Sequence, residues 1–220
     1  MGDWSPIFSA AEEQEARMAR IGAETREKVR RRLLEAAAAH FAERGLEGAQ
    51  VDAIAVAAGF AKGTVYNYFA SKEELFAEVL IEGCRAAVQR YAASPYQGSV
   101  RECLRALAAA DVAVLHEEEG FMKVVVREAM SFDPRTYPLI LEHMAPFLSQ
   151  VQQVLARGVA AGEIRDDRPA AQLALSFVGF LVLLYVQHWG SGGAWPAVEE
   201  IPELAVTLFL DGAARREARR

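Results

Sequence analysis

The sequence predicts an all-α protein with a helix-turn-helix unit near its start, and three observations carry that prediction. Apolar residues recur at helical spacing along most of the chain, while alternating strand-like runs are scarce. Between Gln50 and Leu75 two short helical segments are joined by a glycine turn. A Pro-, Gly- and Ser-containing stretch, Ala93 to Ser99, then separates a small N-terminal portion from a larger helical one.

Residues 1–24 read as an extension, with Trp4, Ile7 and Phe8 followed by an acidic, helix-like run from Ala10 to Arg20. It lacks the basic start, apolar run and cleavage site of a signal peptide, so a mobile arm or an added helix is expected. Thr25 to Arg44 reads as the first helix of the next unit. Val29, Leu33, Ala37 and Phe41 mark its buried face, and Gly45 ends it. Arg26 and Lys28 would then sit in the first turn, where cations oppose the helix dipole, which suggests an anionic partner. Val51, Ile54, Ala55 and Ala58 form one face of a short helix that Gly59 stops, because glycine alone takes the left-handed conformation freely. A second short helix runs from Lys62 to Phe69. Ser71 opens a third with a capping box, Ser71-Lys72-Glu73-Glu74, continuing to about Tyr91.

Beyond the boundary, Ser99 caps a helix reaching about Glu119, and Gly120 interrupts before Phe121 to Met130 resumes. Asp133-Pro134 breaks the chain. A long helix from Arg135 to Ala161 follows, which Pro146 should kink or split. Ala170 to Trp189 is the most apolar stretch. Its uninterrupted core, Leu173 to Val186, is too short for a bilayer, so no membrane partner is expected and a helix buried on most sides, partly by another subunit, is. Gly190 to Gly193 is a link, and Glu199 to Arg216 is the last helix, followed by the basic Arg219-Arg220 end.

The helix from Lys62 can be divided into faces at 100° per residue. Val65 and Phe69 fall together and should be buried. Gly63, Thr64, Asn67 and Tyr68 point away from them, with Tyr66 on the opposite flank. That outward face is small, polar and aromatic, where a merely solvated face would carry Lys and Glu. Gly63 costs a helix about 1 kcal/mol relative to Ala, which makes sense if another backbone approaches closely. Thr, Asn and Tyr donate to phosphate oxygens, and Asn can read adenine in the major groove. A plain surface helix in an all-α domain is the alternative.

These residues resemble the DNA-binding domain of the TetR family of bacterial transcriptional regulators. The resemblance rests on Phe41, Gly45, Val51, Ile54-Ala55, Ala58-Gly59, Lys62-Gly63, Val65-Tyr66, Tyr68-Phe69 and Ser71 to Phe76, and it covers about residues 25–80. Two departures bear on helix capping: Ala49-Gln50 and Ala61 stand where Thr or Ser is usual in the family. The resemblance implies a helix-turn-helix DNA-binding domain over 25–72, a linking helix over 73–93, and an effector-binding and dimerisation domain over 94–220. It implies a cytoplasmic homodimer pairing through its last two long helices and a palindromic double-stranded operator. Arg26, Lys62, Gly63, Thr64, Tyr66, Asn67, Tyr68 and Lys72 are the expected DNA contacts.

Charge fits this assignment. The chain carries a net −6, yet residues 25–72 hold eight basic and five acidic side chains, so positive field is local to the proposed DNA end. Cys84 and Cys103 form no metal pattern and suit reduced thiols. None of the four histidines lies three residues after a Glu, and H-E-x-x-H, P-loop and G-x-S-x-G patterns are missing, so neither an enzyme nor a cofactor or metal is expected. His116 to Glu119 point in four directions on a helix and read as a solvated end. In the larger portion, Phe121, Val125, Met144, Phe147, Val151, Phe177, Phe180 and Tyr185 lie on helices that could converge, either as simple core or around a small apolar or amphipathic effector. The expected function is a repressor released from its operator by such a ligand. The rival is an architectural DNA binder on the same fold without an effector.

Overall fold

The computed structural model describes residues 5–91 and 98–211. Among them are nine α-helices and no strand: α1 (Ser5–Gly48), α2 (Val51–Ala58), α3 (Lys62–Tyr68), α4 (Lys72–Tyr91), α5 (Val100–Glu117), α6 (Glu119–Ser131), α7 (Tyr137–Ala160), α8 (Ala170–Gly190) and α9 (Ile201–Asp211). A single 3₁₀ turn, Val198–Glu200, precedes α9. The chain falls into two compact units, Met1–Val79 and Leu80–Arg220, and the division lies inside α4. The expected boundary residues 93–97 and the Arg215, Arg216, Arg219 and Arg220 tail lie outside the described residues.

In the first unit, Leu33, Leu34, Ala37 and Phe41 of α1, Ile54 and Ala55 of α2, Val65 of α3, and Leu75, Phe76 and Val79 of α4 are buried, and α2 packs on α1 and α3. Phe41 meets Phe76 edge to face at 4.8 Å between centroids, and burying each such side chain stabilises the fold by about 1.5–3 kcal/mol. One expectation fails here. Thr25 begins no helix, because α1 already runs from Ser5. Arg26 and Lys28 are therefore mid-helix, and the dipole argument drawn from a first turn does not apply to them. Nothing between Arg20 and Thr25 breaks helical backbone, so the extension joins the helix that follows. Gly45 does break it, at φ 68°, ψ 179°, before a last short turn.

In the second unit α7 packs on α5 and α8, while α9 packs on α5 and α8. Their core joins Leu104, Leu107, Phe147, Val151, Phe177, Leu181, Ile201 and Val206. Ser99 caps α5 with a full capping box through Glu102. The α5–α6 break falls at Glu118 (φ −123°, ψ 36°) rather than at Gly120, which sits in the first turn of α6, where glycine is tolerated. α7 runs through Pro146 unsplit. The apolar α8 buries one face, Ala174, Phe177, Leu181, Leu184 and Tyr185, and leaves Leu175, Phe180, Leu183 and Val186 exposed. Within one chain it is thus covered on one side only, not on most sides. α9 starts at Ile201, two residues later than the apolar spacing indicated, because the preceding turn is 3₁₀.

Candidate functional site

Among the described residues, two places bear on the expected partners: the outward face of α3 in the first unit, and a cavity among α5–α8 in the second.

α2 ends on Gly59 in the left-handed region (φ 77°, ψ 31°), where the Gly59 and Phe60 N–H groups donate to the carbonyls of Val56 and Ala55. That turn redirects the chain into α3. Val65 and, just past the helix, Phe69 are buried, while Lys62, Gly63, Tyr66 and Asn67 are exposed and Thr64 and Tyr68 half-buried. A Cβ placed on Gly63 would meet no atom within 4 Å. The protein's own packing therefore does not require glycine there. Neither Gln50 nor Ala61, which precede α2 and α3, makes a side-chain cap.

The cations around this face are held. The Arg26 guanidinium lies 5.8 Å from the centre of the Tyr68 ring, which sets it beside α3. Lys62 Nζ donates to Asp52 Oδ2 at 2.9 Å, and that partner raises its pKa. Both side chains are exposed, so the pair adds little stability. Lys72 Nζ lies 3.4 Å from the Ala49 carbonyl and 3.5 Å from that of Glu47, where it ties the start of α4 to the α1–α2 connection. Arg30 pairs with Glu78 and stacks on Phe69. Ser71 Oγ accepts from the Glu74 N–H at 3.0 Å, whereas the Glu74 carboxylate reaches back to Ala70. The structure thus brings Arg26, Lys62, Gly63, Thr64, Tyr66, Asn67 and Tyr68 to one region, and turns Lys72 toward backbone carbonyls.

The second place is a cavity of about 490 Å³. Of the eight residues singled out from sequence, Val125, Met144, Phe147, Phe180 and Tyr185 line it. Phe121, Val151 and Phe177 do not. Phe121 packs where α6 crosses α4 at Gly83, Val151 belongs to the closed core, and Phe177 stacks edge to face on Phe209. Of the lining groups that the sequence did not mark out, two matter most. One is the pair of methionines Met122 and Met130. The other is Asp111, 5 % exposed, whose carboxylate accepts a hydrogen bond from the Tyr185 hydroxyl. Burial and the Asp111 charge push the Tyr185 phenol well above its ordinary range, so its proton stays in place. Asp111 had a visible signal: it lies between Leu107 and Leu115 at helical spacing, a carboxylate on the apolar face of α5.

α8 has the length and composition of a membrane span, yet its Phe177 and Leu181 side belongs to the core. Among the described residues, no group of three or more His, Cys, Asp or Glu could hold a metal ion.

Comparison with known proteins covers both units of the chain. A family described as "Bacterial regulatory proteins, tetR family" matches residues 33–79, and "Tetracyclin repressor-like, C-terminal domain" matches residues 97–213. The HTH-type transcriptional repressor AcnR of Corynebacterium glutamicum is 26% identical over 191 residues, 85% of this chain and 93% of that protein. The HTH-type transcriptional repressor KstR2 of Rhodococcus jostii is 29% identical over 189 residues, 84% of this chain and 91% of that protein. Among solved structures, FadR of Bacillus subtilis in complex with stearoyl-CoA aligns with a TM-score of 0.72 at 21% identity, over 83% of this chain and 98% of that one.

Proposed function

The chain belongs to the TetR family of bacterial transcriptional regulators, and on that premise we propose that it is a repressor that binds a palindromic operator as a homodimer and is released by a small apolar or amphipathic ligand. The observation that carries the DNA-binding half is the outward face of α3. Gly63, Tyr66 and Asn67 are exposed, nearly uncharged, and unexplained by internal packing. In this reading residues 25–72 are the DNA-binding domain. Tyr66, Thr64 and Tyr68 donate to phosphates, Asn67 reads a base edge, Gly63 admits the DNA backbone, and Arg26 and Lys62 supply charge. Lys72 acts indirectly, by holding the α1–α2 connection against α4.

One short recognition helix makes too few base contacts alone. Two, spaced about 34–36 Å or a multiple apart, read a palindrome. The exposed Leu175, Leu183 and Val186 of α8 supply an apolar surface for that pairing, together with α9. Residues 94–220 then form the effector and dimerisation domain, with 73–93 as the linking helix. The cavity supports a ligand-responsive protein over an architectural DNA binder. That the Bacillus subtilis fold neighbour is a complex with stearoyl-CoA is in keeping with a ligand having a long apolar part.

Coupling requires that the ligand prefer a conformation whose recognition helices are wrongly spaced, since equal affinity for both states shifts nothing. α4 is the element suited to carry it. At Gly83 it crosses α6 so closely that an added Cβ would stand 2.8 Å from Val125 Cγ2. Val125 also lines the cavity, and the same helix continues to Lys72. The test is to recover genomic fragments bound by the purified protein and titrate them by fluorescence anisotropy. A discrete operator, bound by a dimer, is expected. Uniform affinity for all fragments would overturn the reading.

A further inference from the structure

We propose that Asp52 sets how much charge the helix-turn-helix presents to DNA: it holds Lys62 in an ion pair, so that the Lys62 ammonium reaches a phosphate with its charge offset. The inference rests on the reading of α3 as the DNA-facing helix. It deepens that reading by giving a residue of α2 control over the salt-dependent part of binding. Asp52 is a positioning residue in this scheme, since it acts through Lys62.

From Val51 to Phe69 the sequence holds two charged side chains, Asp52 and Lys62. The other acids of residues 25–72, Glu27, Glu35, Glu43 and Glu47, all belong to α1. The Gly59 turn brings the second residue of α2 against the first residue of α3, and Lys62 Nζ donates to Asp52 Oδ2 at 2.9 Å across it. The two-helix motif is therefore net neutral, and its charges are matched to each other. Local structure suits an acid to this place. α3 has no acid in its first turn, so Lys62 opposes the dipole of that helix, whereas Asp52 in the first turn of α2 favours its own. Stability does not account for the pairing, because the Lys62 and Asp52 side chains are 52% and 67% exposed, and an ion pair so placed contributes little.

A lysine ammonium has three donors, so the bond to Asp52 leaves two for a phosphate. What the ion pair removes is net charge. The salt dependence of DNA binding counts the phosphates neutralised by protein cations, at about 0.9 in log–log slope for each. A cation matched by an adjacent carboxylate adds a hydrogen bond but little to that count. If Lys62 leaves Asp52 for the phosphate, an unpaired carboxylate stays beside the DNA and the net charge is the same. The sequence-independent attraction is thereby kept low, while the neutral Tyr66 and Asn67 make their contacts regardless. A carboxylate that served only the start of α2, away from the DNA, would leave the salt dependence untouched when removed.

The experiment titrates the full-length protein by fluorescence anisotropy against a recovered operator duplex and its scrambled counterpart, across a salt series. Asp52→Asn should steepen the log–log slope by nearly two units per dimer, so its gain over the wild type is about 10-fold larger at roughly 50 mM than at roughly 200 mM salt, on both duplexes. Asp52→Glu, which restores the carboxylate, should keep the wild-type slope. So should the double variant Asp52→Asn/Lys62→Gln, in which both charges are gone. Both positions are exposed, so each variant should fold, as circular dichroism checks. A slope unchanged by Asp52→Asn would overturn the inference. A double variant that keeps the steeper slope would also overturn it, since Asp52 would then act without Lys62. A double variant shallower than the wild type by about two units would overturn it too, since Lys62 would already have acted at full charge. Each of these outcomes leaves α3 as the DNA-facing helix so long as the wild type prefers its operator. Equal wild-type affinity for the two duplexes would overturn that reading and the inference together.

Discussion

Gly63→Ala separates what α3 owes to its own fold from what it owes to DNA. Gly63 is the second residue of a seven-residue helix. A Cβ there points into open space, and the backbone is not left-handed. Alanine should therefore stabilise the protein by up to about 1 kcal/mol, the helix-propensity difference. The melting temperature would rise by roughly 2–4 °C if the whole chain melts together. If a DNA backbone approaches this position, the same methyl must be accommodated in both half-sites. A loss of about 1.4 kcal/mol at each is tenfold, so a dimer would lose roughly 100-fold in affinity. Thermal melts by circular dichroism and anisotropy titration on one operator duplex read the two effects separately. Opposite signs, more stable and weaker binding, are the expected result. A variant that is stabilised yet binds as tightly as the wild type would refute the close approach. A destabilised variant would refute the placement of α3.

Tyr66→Phe should weaken binding to operator and scrambled DNA equally, whereas Asn67→Ala should relax sequence preference by about 1–3 kcal/mol per half-site; paired titrations on both duplexes decide. Leu183→Asp puts a charge on a residue 50% exposed within one chain, so the fold should survive while light scattering reports a monomer; a retained dimer would move the interface elsewhere. Gly83→Ala should cost about 1–3 kcal/mol by overpacking against Val125, and Val125→Ala should restore the loss, as urea unfolding of the single and double variants would show. Asp133 is held at a pKa of about 2 by hydrogen bonds from the Arg135 side chain and N–H. Its folded pKa is depressed, so its contribution is full above the ordinary carboxylate range and lost as pH falls toward 2, and Asp133→Ala should lose its difference from wild type over that interval in pH-dependent melts.

The helix-turn-helix was legible because each of its features is local. The Val51, Ile54, Ala55 and Ala58 face, the glycine that must turn left-handed, and the Val65/Phe69 side of α3 depend only on spacing within a few residues. The start of α1 was not legible, because no backbone break separates the helix-like run before Thr25 from the helix after it. Gly120 shows the opposite case, since a single glycine costs a helix only about 1 kcal/mol relative to Ala, which the surrounding packing can override. The cavity was half visible. Stripes on α6, α7 and α8 show which faces turn inward, but a stripe does not distinguish Val151 in the closed core from Met144 on the wall. Asp111 was detectable on α5, whereas its partner Tyr185 lies 74 residues away, a pairing that only the packed fold supplies.

Two of the cations near α3 have partners within the chain: Lys62 is shared with Asp52 and Lys72 with backbone carbonyls. Few charged side chains are thus left for phosphates, and neutral donors must carry more of the contact. The central claim, that this acidic chain reads a specific DNA sequence through α3, is tested most directly by affinity for a selected operator and its scrambled duplex across a salt series. The account predicts operator binding about 10³-fold or more tighter than scrambled DNA, with a negative log–log salt slope no steeper than about −5, the value for six phosphates neutralised per dimer. Equal affinity for the two duplexes, with a slope near zero, would contradict it.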